Sequence, residues 1–225
     1  MIEVREIQQI ATDLGLQVQV VEKDYALGWL LAGISQHPAL KDSWVFKGGT
    51  CLKKCYFETY RFSEDLDFTL TEPSHLDPAF LRQTFAEIGA WLYEQCGLQM
   101  PPNLFDFDVH PDPDKRYVLG KVGYIGPRQN PRGSIPKIKL DLTSNELLVM
   151  GPVMREVYHP YSDAPAGSRD SLIGSLPVKF SQSLHPCPSL PGPERKSGLR
   201  RVSDWRSIYR FPSSAFAWPH QTGSA

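Results

Sequence analysis

The sequence predicts an α+β fold: a mixed sheet flanked by helices, followed by an irregular C-terminal tail. Three observations carry that reading. Helical and strand-like patterns interleave as strand, turn, helix, strand, helix and then several strands. The strand-like runs are short and alternate apolar with polar positions, as in a sheet with one covered face. Beyond Phe180 the composition changes and no apolar period survives more than a few residues.

The elements follow in order. Residues 3–16 read as a short helix, with Ile7, Ile10 and Leu14 at helical spacing. Val20 to Ser35 reads as a second helix. Its apolar positions are so frequent that it is expected to be well buried, and His37-Pro38 stops it. Ser43 to Phe46 is a strand. Lys47-Gly48-Gly49-Thr50 reads as a tight turn, and Thr50 to Phe57 as a helix capped near it. Leu66 to Leu70 is the next strand. Asp77 to Cys96 is the clearest amphipathic helix, with Phe80, Leu81, Phe85, Ile88, Trp91 and Leu92 on one stripe and Gly97 as its stop. Leu104–Val109, Tyr117–Ile125 and Lys137–Thr143 are strands separated by Pro- and Gly-rich turns.

Composition bounds the function. The chain has 225 residues, 41% hydrophobic and 22% charged, enough for one substantial core. A formal net charge of -1 provides no global attraction for nucleic acid, so any such site is a local patch. There is neither a signal-peptide run nor an apolar stretch of membrane-spanning length, and the expected location is cytoplasmic. The four cysteines, Cys51, Cys55, Cys96 and Cys187, form no CxxC pair and read as reduced thiols.

Domain organisation follows the composition: a core over residues 1–178 and a Ser/Pro/Arg-rich, poorly ordered tail over 179–225. From Ser181 to Ala225 the tail holds nine serines, six prolines and six Lys/Arg against two Asp/Glu, or about +4. Two origins account for it: a frameshift near residue 180, or a divergent segment. The first is the expectation.

The chemistry concentrates in Phe46–Phe68, FKGGTCLKKCYFETYRFSEDLDF. Asp65 and Asp67 are two apart in a strand and therefore share a face. Adjacent carboxylates repel unless a cation joins them, and Mg2+ suits oxygen ligands and brings phosphates with it. Gly48 and Gly49, lacking side chains, let the backbone approach a phosphate at a helix start. A third acid is expected from KIKLDL, residues 137–142: Asp141 faces the same way as Lys137 and Lys139, opposite Ile138, Leu140 and Leu142. Asp141 would complete the metal site or orient an attacking hydroxyl, and Lys139 would meet a triphosphate. Exposed strand positions are the rival reading for both. Lys53 and Lys54 read as a solvated helix face. Glu22-Lys23-Asp24 reads as a helix surface or a structural ion pair, and Arg61 as a charge partner or a phosphate contact.

This stretch resembles the signature of AbiEii-type nucleotidyltransferase toxins, within the DNA polymerase β-like superfamily. Glu22-Lys23-Asp24-Tyr25 resembles that family's N-terminal helix, and KIKLDL and Tyr161-Ser162-Asp163 its later strands. The resemblance spans roughly residues 18–165. It implies a polymerase-β-like nucleotidyltransferase fold that moves an NMP group from an NTP to an RNA hydroxyl, notably of tRNA, as the toxin of a type IV toxin–antitoxin (abortive infection) system. Asp65 and Asp67 would hold Mg2+, and Gly48, Gly49, Thr50 and Lys139 would contact the nucleotide. An AbiEi-like antitoxin, acting mainly as a repressor, is the implied partner. The family's later Ala-Glu-Lys helix and Arg-Asp…Asp element have only weak echoes at Pro193–Lys196 and Arg201–Asp204, and no role is transferred to Lys196 or Asp204. Two alternatives follow: a catalytically dead remnant that keeps the fold, and a nucleic-acid-binding module using the basic tail.

Overall fold

The computed structural model describes residues 1–57, 63–112, 115–129, 134–144, 146, 151–164 and 172–179. Arg61, Cys187, Lys196, Asp204 and the tail from 180 onward lie outside the described residues, as do both family echoes.

Among the described residues, four α-helices and seven strands run in the order α1 (Val4–Leu14), α2 (Val18–Gln36), β1 (Trp44–Lys47), α3 (Gly48–Cys55), β2 (Asp65–Leu70), α4 (Pro78–Cys96), β3 (Phe105–Val109), β4 (Tyr117–Gly123), β5 (Lys137–Thr143), β6 (Val153–Tyr158) and β7 (Leu172–Val178). The strands form one mixed sheet ordered β3-β4-β5-β2-β1-β7-β6. β2 pairs with β5 in parallel and with β1 antiparallel; β1 and β7 are parallel.

Local chemistry explains the helix limits. α4 begins where the Asp77 carboxylate accepts the Phe80 N–H, with Pro78 at the first helical position, and ends at Gly97 with φ 76°. Gly15, φ 64°, closes α1 in the same way. α2 is apolar almost all round and packs against α1, α4, β6 and β7. Buried on nearly every side, it has no solvent face to mark with polar residues.

The sheet is one-sided over β2, β4 and β5. Leu66, Phe68 and Leu70 of β2, Val118 and Val122 of β4, and Ile138, Leu140 and Leu142 of β5 are buried in the core beneath α2 and α4. Trp44, Phe46, Phe68 and Phe85 form its aromatic centre, with Trp44–Phe68 and Phe46–Phe68 centroids 5.2 and 5.1 Å apart. Each such ring contributes about 1.5–3 kcal/mol by leaving water. On the opposite face, Asp65, Asp67, Lys121, Lys139 and Asp141 are half-buried or exposed, while Thr69 is buried.

Three expectations are corrected. Gly48 and Gly49 are not a turn ahead of the helix but its first residues, and no side chain caps it. Tyr161-Ser162-Asp163 lies in a turn after β6, not in a strand. Lys53 and Lys54 are not a solvated face: both are buried, and the Lys54 ammonium donates to the Asp24 carboxylate at 2.7 Å and to its carbonyl at 3.2 Å. α3 lies close against β2 and β6, and Asp24 of α2 meets Lys54 on the buried side of the helix. Of the two readings of Glu22-Lys23-Asp24, the ion pair holds for Asp24.

Candidate active site

β2 brings Asp65 and Asp67 onto the open face, two residues apart, as its alternation requires. The parallel register sets Asp67 directly beside Asp141 of β5, and Asp65 beside Lys139. Neighbouring strands run about 4.8 Å apart, so Asp67 and Asp141 are close like charges. Partial burial, the Asp141 charge and the Asp65 charge together hold the Asp67 carboxyl above the usual carboxylate range, against the opposing pull of Lys47.

β1 delivers the glycines. Lys47 pairs with Asp67 in the antiparallel register, and α3 starts on the next residue. Gly48 has φ 77°, a conformation that L side chains rarely adopt. A Cβ there would stand 1.9 Å from Asp67 Oδ2. Gly49 is tight against Ser63, with 3.2 Å between its notional Cβ and Oγ. The Thr50 hydroxyl donates to the Asp65 carbonyl at 2.6 Å and ties α3 to the start of β2. Thr50 thus holds the site's backbone together, and its hydroxyl is committed to that bond.

Lys47 and Glu146 complete the site's edge. The Lys47 ammonium donates to Thr143 Oγ1 at 3.1 Å and to the Glu146 carboxylate. Glu146 also accepts from Thr69 and pairs with Lys179 at 3.1 Å. Burial alone would raise its pKa, but these donors prevail and push it down to about 2. Sequence reasoning missed Glu146. It lies three residues past the end of β5 without any periodic cue, and only the fold brings it to Lys47 of β1 and Thr69 of β2.

The donor set suits a divalent cation of one kind. Among the described residues no group of three or more His, Cys, Asp or Glu side chains could hold a metal ion alone. A pair of carboxylates is what Mg2+ ordinarily takes from protein, the remaining oxygens coming from water and substrate phosphates. Asp65 and Asp67, side by side on one face of β2, are such a pair.

The profile described as "Nucleotidyl transferase AbiEii toxin, Type IV TA system" matches residues 29–178 of the 225. The chain belongs to the AbiEii nucleotidyltransferase toxin family. Its match contains both glycines, the three aspartates and the strands that carry them. Among solved structures, the chain is similar to MenT4, a nucleotidyltransferase toxin from Mycobacterium tuberculosis H37Rv. The identity is 21% and the TM-score 0.47, over 80% of this chain and 55% of that one. This member of the AbiEii family therefore spans about half the length of that protein. No curated protein sequence matches it. No helix among the described residues is long and apolar enough to cross a membrane.

Proposed function

We propose that this AbiEii-family chain is a metal-dependent nucleotidyltransferase that moves an NMP group from an NTP to a hydroxyl of RNA, with tRNA as the acceptor. The observation that carries the reading is the packing of Gly48 against Asp67 beside Asp141. A glycine pair at a helix start and a carboxylate cluster occupy one spot. Asp65 and Asp67 would hold Mg2+, which when bound supplies charge for the reacting phosphates. Asp141 takes up a proton from the attacking hydroxyl or completes the metal's ligands.

The protein's own groups do the rest. The side chain of Lys47, the residue before α3, does not cap it, and the first-turn N–H groups of the helix would meet phosphate oxygens. Gly48 and Gly49 keep side chains out of that path. Lys139, whose side chain is 64% exposed and 3.7 Å from Asp65, can swing to a triphosphate at little cost. Lys47, held by Thr143 and Glu146, acts as a fixed positive charge rather than a mobile phosphate clamp. In the cell this is a cytoplasmic toxin of a type IV toxin–antitoxin system, with an AbiEi-like antitoxin acting mainly as a repressor. The nucleotidyltransferase core spans residues 1–178, and the Ser/Pro/Arg-rich sequence follows from 179 to 225.

The test is incubation of the purified chain with Mg2+, each α-labelled NTP in turn and total tRNA, beside Asp65→Ala. Label entering RNA with the wild type and not with the variant supports the transferase. No label with any NTP, from folded protein, favours the remnant that keeps the fold without the reaction.

A further inference from the structure

On the side of Asp65 away from the glycines, the open sheet face carries three lysines. Lys137 and Lys139 stand two apart on β5 and share that face. Lys121 on β4 lies directly opposite Lys139 in the antiparallel register. All three are exposed. Like charges directly opposite one another destabilise a sheet. The compensation here is small. Lys139 meets Asp65 only at 3.7 Å, with both side chains more than half exposed. Asp106 of β3 stands opposite Lys121, yet among the described residues neither Lys121 nor Lys137 makes an ion pair within 4.0 Å.

A ridge of cations retained against its own repulsion, next to a carboxylate cluster, suits a polyanion. Its extent argues for a strand. Lys139 is one strand from Asp65 and Lys121 is two, or about 10 Å, while Lys137 lies about 6.7 Å along β5 from Lys139. The nucleotide's own phosphates are expected over β2 and on its other flank, where β1 and α3 bring the glycines, so that of the three lysines only Lys139, the one nearest Asp65, comes within their reach. We infer that Lys121 and Lys137, with Lys139 at the junction, bind the phosphodiester backbone of the acceptor RNA strand and lay its end across Asp65, Asp67 and Asp141. The inference rests on the transferase reading of those aspartates.

The experiment uses the full chain with Lys121→Gln, Lys137→Gln and the double variant. A fluorescein-labelled single-stranded RNA with a free 3′ hydroxyl is titrated by anisotropy across a salt series, and KM for the NTP is measured in parallel. The double variant is expected to bind more weakly and to flatten the slope of log K against log salt by about 1.4, at ~0.7 for each phosphate no longer neutralised. KM for the NTP should stay within about twofold, and Lys→Arg at both positions should restore the slope. An unchanged slope with unchanged melting temperature overturns the ridge as an RNA site. A raised NTP KM with unaltered RNA binding overturns it in favour of a triphosphate site. RNA binding that depends on the lysines in a protein that transfers nothing sinks the transferase reading and leaves the ridge standing.

Discussion

Gly48 and Asp67 are packed so closely that residue 48 has no room for a Cβ: it would stand 1.9 Å from Asp67 Oδ2. The backbone there is also left-handed, φ 77°, which costs an alanine about 1–2 kcal/mol. Gly48→Ala therefore has to displace the carboxylate, the helix start or both. A reacting group moved by about 1 Å can lose ~100-fold in rate. The expected result is a fall in kcat of that order or more with the fold retained, read by single-turnover transfer and circular dichroism. Activity within a few-fold of wild type would remove Gly48 from the site.

Ionising Asp67 carries a cost in the folded chain, set by partial burial and by its acidic neighbours. Its folded-state pKa is raised, so the unfolded chain releases its proton first. Stability is then lost as pH climbs from the ordinary aspartate range through the raised value. Asp67→Asn removes that burden. The variant should melt higher than wild type at pH 7, by roughly 2–4 °C for each 1 kcal/mol recovered, while transfer is abolished. Added Mg2+ should raise the wild-type melting temperature and leave the variant's unchanged. Equal shifts in both would show that Asp67 holds no cation.

Two ion pairs invite opposite expectations. Lys54–Asp24 is 2.7 Å long, with side chains 1% and 5% exposed, and Asp24 Oδ2 also accepts the Tyr161 hydroxyl at 2.9 Å. Breaking such a buried pair from one side costs about 3–5 kcal/mol, because the remaining charge is stranded. Lys139–Asp65 is open to water, and such pairs are worth ~0–1 kcal/mol. Urea denaturation should therefore show Lys54→Ala strongly destabilised and Lys139→Ala nearly unchanged. Lys54→Ala within about 1 kcal/mol of wild type would mean that water reaches Asp24.

These contrasts mark what could be read in the sequence. β2, β4 and β5 were legible because one face is covered: Leu66, Phe68, Ile138, Leu140 and Leu142 alternate with polar residues as period-2 burial demands. The Gly48-Gly49 and Asp65/Asp67 pairing was legible because the residue types admit few other uses together. β7 was hidden by Gly174 and Pro177, which ordinarily demote a strand. β6 was hidden because Val153 and Met154 are exposed and give no alternation. Lys54 misled for a physical reason. A lysine a few residues into a Gly-Gly helix start is usually solvated, and only the fold reveals that Asp24, 30 residues away, is its counter-charge.

His159 is the remaining buried group whose behaviour is set by its surroundings. It is fully buried among Tyr25, Trp29 and Tyr161, at centroid distances of 5.6, 5.7 and 4.7 Å. Among the described residues neither ring nitrogen has a hydrogen-bond partner, and the Asp163 carboxylate is 3.8 Å away. Burial lowers its pKa, with Lys54 adding to the effect, and outweighs the opposite pull of Asp163 and Asp24. Below the ordinary histidine value, about 6.5, the unfolded chain takes up a proton that the native state refuses. Stability should therefore decline as pH falls from about 7 towards 5. His159→Phe keeps an aromatic ring there without a titrating nitrogen, so its denaturation midpoint should vary less with pH over that range. The same ring explains Gly28 on α2, where a Cβ would lie 2.1 Å from His159 Nδ1. Gly28→Ala should cost about 1–3 kcal/mol by overpacking. Unaltered pH dependence in His159→Phe would mean that His159 takes up its proton alike in the folded and unfolded chains, and a steeper loss of stability towards low pH in the variant would mean that it is protonated in the native state and pairs with Asp163.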